Sequence, residues 1–469
     1  MIKKLSRDQA SYIFLTVVVL IILRLILLST FPLLDKTETR YSDIARIMVE
    51  TNEWIVLQID YGIPFWAKPP LSTWLSAIGI AIFGATEFAV RLPSFLLNLF
   101  LIFILGKYVT NKKHYFLLAF ILLTTLEFYL HTGVVSTDTA LCFSIVLIMI
   151  SFWKGFHSES YVVWKHLFFA GIALGFLSKG PLVLVLTGPP ILAWLIIQKV
   201  KISVLLKRLP WISGLILCLV ITLPWYIVME QRSPGFIDYF IVGEHFKRFL
   251  VSGWTGDLYG SGHQQPLGMI WLFLMLFAFP WIQIVLVNIF KKRKDILSNS
   301  WVCFLVFWLI WTPLFFTISK NILHTYILPV MIPMALLMVY WWNDFKNKKL
   351  ILGVATIIPV FILIGFMVLT FYPSSYKALN TDKHLILNST HEQLPVFYYK
   401  NITFSSKFYT SGQVKPLHSE KQLDSLIEVK DKFLLLVPNK YKSQLEKTAA
   451  KDFEVKDSTY KTSVYIIQK

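Results

Sequence analysis

Long apolar runs separated by short polar segments make up the first 372 residues. The first run, SYIFLTVVVLIILRLILLSTF, covers residues 11–31 and is long enough to cross a bilayer as a helix. Ten further runs approach the roughly 20 residues that one crossing requires. They lie at about 91–106, 115–130, 139–153, 164–178, 181–198, 211–229, 267–290, 301–318, 322–342 and 350–372. The pattern predicts an all-α polytopic protein with about eleven spans.

The apolar run at residues 71–83, LSTWLSAIGIAIF, decides the orientation. Its thirteen residues, closed by Gly84, suit a helix that lies at the interface better than a span. If this run does not cross, the N-terminus and five basic segments fall on the cytoplasmic side, as the positive-inside rule requires. Those segments are KYVTNKKH, WKGFHSES with the following WK, QKVKISVLLKR, KKRKD and NDFKNKK. We therefore expect the N-terminus inside and the C-terminus outside.

After Tyr372 the composition becomes polar and lysine-rich. PVFYYK, KFLLLVP, DFEVKD and SVYIIQ have the pattern of strands, and SEKQLDSLIEVK and YKSQLEKTAA that of short helices. The sequence thus predicts two domains, a membrane domain at 1–372 and a small soluble α/β domain at 373–469. The second domain is expected outside the membrane.

Composition and missing motifs exclude several classes of protein. A hydrophobic fraction of 56% with a formal charge of +18 is foreign to ordinary soluble enzymes. The three cysteines lie within apolar runs and offer neither a disulfide framework nor a CxxC pair. No GxxxxGK[ST] motif occurs, so nucleotide hydrolysis is not expected. Polar residues crowd the outer loops and are scarce at the middle of the spans, which favours chemistry at the membrane surface over transport.

Three carboxylates in those outer loops are candidate catalytic residues. Asp35 and Glu38 follow the first span, and Asp138 lies in STDT at the start of another. A carboxylate near the membrane plane is costly to desolvate and usually needs a partner or a chemical role. Helix capping is the alternative interpretation for Asp35 and Asp138, and capping and catalysis can coexist.

Cations occupy the same side. They are Arg40, Arg46, Lys68, Lys179, Lys247, Arg248 and Lys320. Long cationic side chains at span ends often reach toward lipid headgroups, which is the alternative for each of them. Lys68 precedes two prolines and Lys179 stands in SKGP, and such rigid turns suit a fixed phosphate contact. The cluster predicts an anionic ligand, best a lipid phosphate.

Histidine and tyrosine side chains complete the predicted outer surface. His131, His245, His263 and His324 are scattered over several segments without an HExxH motif, so a divalent metal is possible but only weakly indicated. A neutral, hydrogen-bonded histidine is the commoner case. Tyrosines such as Tyr41 and Tyr326 could stack on a sugar ring, although interfacial aromatic belts also explain them.

An ordered set of motifs resembles the family 39 glycosyltransferases, and especially the bacterial aminoarabinose transferases that modify lipid A. The motifs are LLDKTETRYSDIARIM, YGIPFWAKPPLSTWL, IFGATEFAVRLPS, STDTALCF, LSKGPL, EHFKRF, GHQQP and FFTISKNILHTYILPVMIP. They extend from about residue 30 to 345. The resemblance implies a GT-C fold, with a helical bundle, periplasmic juxtamembrane helices and a small C-terminal domain.

The resemblance also implies an activity and site residues. Such enzymes transfer a sugar, with inversion, from a polyprenyl phosphate to an acceptor outside the bacterial cytoplasmic membrane. Asp35, Glu38 and Asp138 match the catalytic acids of the family, and Lys68 its phosphate-binding lysine. Matching or nearby positions give the remaining candidates for donor binding, which are Arg40, Tyr41, Lys179, His245, Arg248, His263, Lys320 and Tyr326.

Two positions depart from the family pattern. Thr37 precedes Glu38 where the aminoarabinose transferases have an acid, and Asp35 lies two places earlier. Ala67 precedes Lys68 where those enzymes have an acid that can help to hold a metal. The identity of the base, the dependence on metal and lipid A as the acceptor therefore stay open.

The favoured hypothesis is a membrane glycosyltransferase with Asp35 as its base and with Asp138 or Glu38 positioning the sugar or the acceptor. The acceptor could be lipid A, another envelope glycan or lipid, or a protein hydroxyl. The alternatives are a lipid or sugar transporter and a structural subunit whose cations only anchor headgroups. No nucleic-acid partner is expected.

Overall fold

The computed structural model describes residues 6–110, 114–158, 162–247, 256, 258–259, 264–319, 321–388, 394–445, 453 and 455–468. Helices dominate the described chain up to residue 371. In the first half they are α1 (Arg7–Thr30), α2 (Thr37–Thr51), α3 (Leu71–Phe83), α4 (Glu87–Tyr108), α5 (Tyr115–Leu123), α6 (Leu126–His131), α7 (Thr137–His157), α8 (Val162–Lys179), α9 (Leu182–Ile197), α10 (Ile202–Arg208) and α11 (Trp211–Arg232). A short hairpin of β1 (Gln58–Asp60) and β2 (Ile63–Pro64) lies between α2 and α3.

The second half of the bundle begins with a π-helix at Asp238–Lys247. It continues with α12 (Met269–Phe277), α13 (Trp281–Lys291), α14 (Arg293–Ile296), α15 (Ser300–Phe316), α16 (Met331–Trp341), α17 (Lys348–Ala355) and α18 (Ile357–Phe371). A 3-10 helix at His324–Val330 leads directly into α16. Apolar side chains such as Phe14, Leu15 and Ile22 are exposed on the outside of the bundle, as a lipid-facing surface requires.

Within the described residues, seven helical segments are long and apolar enough to cross a membrane, and eight if the bent pair α12–α13 counts as one span. The protein is therefore a multi-pass membrane protein. The other predicted runs fall in the shorter helices α9 and α15 and in the broken pair α5–α6. The total of eleven crossings stays a prediction.

Two predicted spans differ from single straight helices. The run at 267–290 is α12 and α13, which meet at 109°; Pro280 lies at this break, and its missing N–H cannot continue a helix. The run at 115–130 breaks between α5 and α6. The hydroxyls of Thr124 and Thr125 donate to the carbonyls of Phe120 and Ile121, so side chains compete with the helical pattern there.

The end of α1 and the start of α4 lie side by side. Arg91, on the second turn of α4, donates from Nη2 to the carbonyl of Pro32, 3.0 Å away. The chain thus leaves α1 and enters α4 at the same end of the bundle, which we call the cavity end. This agrees with the prediction that residues 71–83 do not cross.

Residues 396–468 contain a five-stranded mixed sheet. Its strands are β3 (Val396–Tyr399), β4 (Lys415–Leu417), β5 (Lys432–Pro438), β6 (Val455–Ser458) and β7 (Thr462–Gln468), in the order β4-β3-β5-β7-β6. β3 pairs in parallel with β4 and β5, whereas β7 pairs antiparallel with β5 and β6. Helices α19 (Lys383–Leu387), α20 (Phe404–Tyr409), α21 (Glu420–Val429) and α22 (Lys442–Leu445) accompany it. The predicted helical bundle with a small C-terminal α/β domain is confirmed.

The C-terminal domain packs on the cavity end of the bundle. Phe408 of α20 is buried in an apolar cluster with Ile44 and Met48 of α2. Glu87, the first residue of α4, accepts a hydrogen bond from Tyr409 at 2.9 Å and pairs with Lys383 at 2.5 Å. Apolar and ionic contacts therefore hold the domain over this end of the bundle.

Candidate active site

A cavity of about 980 Å³ lies between the cavity end of the bundle and the C-terminal domain. The membrane domain contributes Asp35, Lys36, Thr37, Arg40, Tyr41, Phe65, Ala67, Lys68, Ser136, Thr137, Asp138, Lys179, Tyr259, Asn321, Leu323 and Tyr326 to its lining. The C-terminal domain contributes the segments at 380–382, 401–404, 438–441 and 459–462, together with Tyr398. Seven of the twelve predicted site residues thus meet in one space.

Asp35 is the carboxylate with the most developed hydrogen-bond environment in the cavity. Its Oδ1 accepts from the Thr39 hydroxyl at 2.6 Å and from the Ser405 backbone N–H at 2.9 Å, and its Oδ2 accepts from the Ser405 hydroxyl. Burial raises the pKa of Asp35 to about 6, although the hydrogen bonds from Ser405 and Thr39 act against this. Helix α2 begins after Lys36 without a side-chain cap, so the capping interpretation of Asp35 is wrong.

Glu38 lies beside the cavity and not in its lining. Its two carboxylate oxygens accept from Nε and Nη2 of Arg91 at 2.7 and 2.8 Å. It also accepts from the backbone N–H of Val135, at the approach to the STDT loop. Glu38 thus joins α2, α4 and that loop. Of the roles that the sequence leaves open for Glu38, we propose positioning and not proton transfer.

Asp138 and Lys179 form an ion pair in the cavity wall. The Lys179 Nζ donates to Asp138 Oδ1 at 2.6 Å and lies 5.0 Å from the centroid of the Tyr326 ring. Ser136 caps α7 by accepting from the backbone N–H of Asp138, which leaves the Asp138 carboxylate to bind Lys179. The pair brings one predicted acid and two predicted donor-binding residues together.

The turn that carries Lys179 depends on Gly180. This glycine has a backbone φ of +65°, which residues other than glycine rarely adopt. A Cβ there would come within 2.8 Å of the Phe240 ring. His245 packs against the same turn, with its Nε2 2.8 Å from the carbonyl oxygen of Lys179. Burial lowers the pKa of His245, and the backbone carbonyls of Phe240 and Lys179 beside its ring act against this. His245 thus supports Lys179 from outside the cavity lining.

Lys68 lies in the cavity wall just before α3. Its Nζ donates to Glu244 Oε2 at 2.9 Å and to the carbonyl of Ala67 at 2.6 Å. Glu244 is a buried residue of the π-helix, and π-helical segments are frequent at functional sites. The predicted phosphate ligand is therefore paired with a carboxylate.

Arg40 and Tyr41 extend the lining from α2. The guanidinium of Arg40 donates to the carbonyl of Tyr259 at 3.0 Å and lies 5.5 Å from the centroid of the Tyr41 ring. Tyr41 meets Phe65 edge to face. The predicted residues Arg248, His263 and Lys320 lie outside the described residues.

The described residues do not fit the possible metal. No group of three or more His, Cys, Asp or Glu side chains among them is arranged to bind one. Ala67 offers no ligand beside Lys68, and Asp138 and Glu244 are each paired with a lysine.

Sequence reasoning missed Arg91, Glu244, Ser405 and Asn380. Arg91 did give a signal, because an arginine close to a long apolar run needs a partner. The other three belong to polar segments in which nothing local indicates the contact. Each of them touches a predicted site residue through a pairing between distant parts of the chain.

The fold and the cavity define a class of protein, a polytopic membrane protein with a polar, lysine-lined site between its helices and a C-terminal α/β domain. The family described as dolichyl-phosphate-mannose-protein mannosyltransferase matches residues 8–240. Two proteins named undecaprenyl phosphate-alpha-4-amino-4-deoxy-L-arabinose arabinosyl transferase, from Yersinia enterocolitica and Yersinia pestis, are 29% identical over 320 and 325 residues. Each alignment covers 66% of this chain and 55% of the relative, so the chain spans about half the length of these curated relatives.

A solved structure extends the similarity to nearly the whole chain. The crystal structure of ArnT from Cupriavidus metallidurans bound to undecaprenyl phosphate superimposes with a TM-score of 0.76 at 17% identity, covering 97% of this chain and 98% of that one. At this identity the likeness shows the fold, which is the predicted GT-C fold. The family match and the curated relatives make the chain similar to glycosyltransferase family 39.

Proposed function

We propose that this protein transfers a sugar from a polyprenyl-phosphate donor to an acceptor of the cell envelope, with inversion at the sugar carbon. The observation that carries the proposal is the cavity, because it places a half-buried carboxylate, Asp35, in one space with Lys68 and Lys179. A base and phosphate-binding cations are the two groups that such a transfer requires. The names of the relatives support an undecaprenyl-phosphate-linked pentose as the donor.

The cations receive the leaving group. When the donor phosphate enters, it competes with Glu244 for Lys68, and the lysine forms a charge-assisted bond to a phosphate oxygen. As the bond from the sugar carbon to the phosphate oxygen breaks, its electron pair goes to the phosphate. Lys68, with Lys179 and Arg40 in the same lining, stabilises that charge, so no general acid is needed there.

Asp35 receives the proton of the acceptor. The acceptor oxygen attacks the sugar carbon from the side opposite the phosphate and forms the new glycosidic bond, while its proton goes to the Asp35 carboxylate. A positioned general base of this kind contributes on the order of 10²–10⁴-fold to the rate. Because its pKa is near 6, Asp35 is ionised at neutral pH and is a stronger base than an exposed aspartate.

The membrane orientation follows from the distribution of basic loops. We place the cavity and the C-terminal domain on the periplasmic side of the bacterial cytoplasmic membrane, since the basic segments belong to the opposite end of the bundle. A donor anchored by its polyprenyl chain in the bilayer reaches such a cavity at the membrane surface. The acceptor is lipid A or another envelope glycan or lipid.

One specific observation favours a second acceptor class, since the family matched over residues 8–240 is described as a protein mannosyltransferase. Proteoliposomes containing the purified protein test these possibilities together. They receive polyprenyl-phosphate sugars labelled in the sugar, with lipid A, envelope glycolipids or serine- and threonine-rich peptides as acceptors. We expect covalent label in a lipid acceptor and one released polyprenyl phosphate for each sugar transferred. Label in the peptides would move the acceptor to protein, and label that crosses the bilayer unchanged would indicate a transporter.

A further inference from the structure

The C-terminal domain contacts Asp35 directly. Among the described residues, two of the three hydrogen bonds to the Asp35 carboxylate come from Ser405, 370 residues further along the chain. The third comes from Thr39 of the membrane domain. The residue assigned as the base is therefore bound mainly by the soluble domain.

The hydroxyl of Ser405 is oriented toward Asp35. Its Oγ accepts from the backbone N–H of Asp382 at 3.1 Å, so its own proton is directed to Asp35 Oδ2. Ser405 is fully buried, which keeps water from competing for this bond. The backbone N–H of Ser405 binds the other carboxylate oxygen.

Asn380 holds the backbone of Asp35. The side-chain Nδ2 of Asn380 donates to the Asp35 carbonyl at 2.7 Å, and the Asp35 N–H donates to the Asn380 carbonyl at 2.8 Å. These reciprocal bonds, with those of Ser405, fix both the backbone and the carboxylate of Asp35. Oδ1 accepts two hydrogen bonds and Oδ2 accepts one, so Oδ2 retains a lone pair for the acceptor proton.

We propose that Ser405 is a positioning residue that orients the Asp35 carboxylate for proton transfer, with Asn380 holding its backbone, so that the C-terminal domain completes the active site. This inference rests on the proposed function, in which Asp35 is the base. It gives the soluble domain a role in catalysis beyond covering the cavity.

The pH dependence of transfer by Ser405→Ala tests the proposal. The Ser405 hydroxyl stabilises the ionised carboxylate, so its loss raises the pKa of Asp35. We expect the acidic limb of the profile of kcat/KM to move to higher pH by about one unit. This is the pKa shift that corresponds to the loss of one hydrogen bond to a charged group. A lower rate with an unmoved limb would overturn the proposal, because a merely structural role lowers activity at every pH.

Ser406→Ala is the matched control. Ser406 is as deeply buried as Ser405 and lies on the same helix, but its hydroxyl donates to Asp382 and not to Asp35. We expect its pH limb to coincide with that of the wild type.

If Ser405→Ala fails to fold, Asn380→Ala replaces it. Its kcat should fall several-fold with an unchanged KM. A rise in KM as large as the fall in kcat would contradict the role of Asn380.

Infrared titration of Asp35 separates this inference from the proposed function. The protonated carboxyl band is assigned by its loss in Asp35→Asn and followed against pH without substrate. A band whose midpoint rises in Ser405→Ala, in a protein that transfers no sugar, would leave the contact established and the proposed function wrong. If the wild type transfers sugar and the midpoint in Ser405→Ala equals that of the wild type, the inference is overturned and the proposed function stands.

Discussion

Lys68 and Lys179, two of the three lysines predicted to bind the donor, are each paired with a carboxylate whose side chain is buried. Lys68 meets Glu244 and Lys179 meets Asp138, at 2.9 and 2.6 Å. These ion pairs fix the positions of the two ammonium groups before a donor arrives. The phosphate must compete with the two carboxylates, and this exchange links donor binding to the positions of Glu244 and Asp138.

The first prediction concerns Lys68. Lys68→Met removes one charge-assisted bond to the donor phosphate while keeping the length of the side chain. We expect the Kd for a polyprenyl phosphate to rise by about 10- to 100-fold, measured by tryptophan fluorescence in detergent. Lys292→Met, which removes an ion pair with Asp344, is the control and should leave the Kd unchanged. Equal affinities of the wild type and Lys68→Met would exclude Lys68 as a phosphate ligand.

The second prediction concerns the ionisation of Asp35. Burial raises its pKa to about 6, and a base must be deprotonated to act. Transfer by the wild type should therefore rise with pH and level off above about pH 7, with a midpoint near 6. The profile of kcat/KM between pH 4.5 and 8 checks this expectation. A rate that is constant across that range would contradict Asp35 as the titrating base.

At the scale of elements, the ion pair between Glu38 and Arg91 joins α2 to α4. Both side chains are almost fully buried, and removal of one partner leaves an unpaired buried charge. Arg91→Met should destabilise the protein by about 3–5 kcal/mol, seen as a clear fall in Tm in detergent. Arg232→Met breaks a mostly exposed pair with Glu53 and should change the Tm only slightly. Similar Tm changes in the two variants would contradict a structural role for the buried pair.

The elements differ in how far their sequence predicts them. The run KFLLLVP coincides with β5, because a short apolar segment between polar ones has few alternatives. The run at 267–290 is predicted as one apolar segment, but hydropathy does not report the 109° bend at Pro280 within it. Helix α20 was missed because NITFSSKFY is short and polar, and its position depends on packing against α2.

The same limit applies to the site. Motifs identified Asp35, Lys68, Asp138 and Lys179, and the structure brings all four to one cavity. The side chains that pair with these residues are distant along the chain: Lys179 is 41 positions from Asp138, Glu244 is 176 from Lys68, and Ser405 is 370 from Asp35. No local pattern reports such pairings, because they arise only when the helices and the C-terminal domain pack together.

At the scale of the whole molecule, docking of the C-terminal domain controls both the cavity and the base. Glu87 anchors the domain through Tyr409 and Lys383. Glu87→Ala removes both contacts, so we expect hydrogen exchange in α20 to accelerate on the order of tenfold and transfer to fall with it. Glu53→Ala, which lacks contacts to the domain, is the control. Faster exchange with undiminished transfer would contradict the dependence of Asp35 on this docking.

Single-turnover transfer by Asp35→Asn tests the central claim most directly. The variant keeps the shape of the side chain but cannot accept the acceptor proton. Wild type and variant are first saturated with labelled polyprenyl-phosphate sugar, and then mixed with acceptor at pH 7.5. We predict unchanged donor affinity and a transfer step slower by on the order of 10²–10⁴-fold. Transfer at the rate of the wild type would contradict Asp35 as the base and the reaction site built around it.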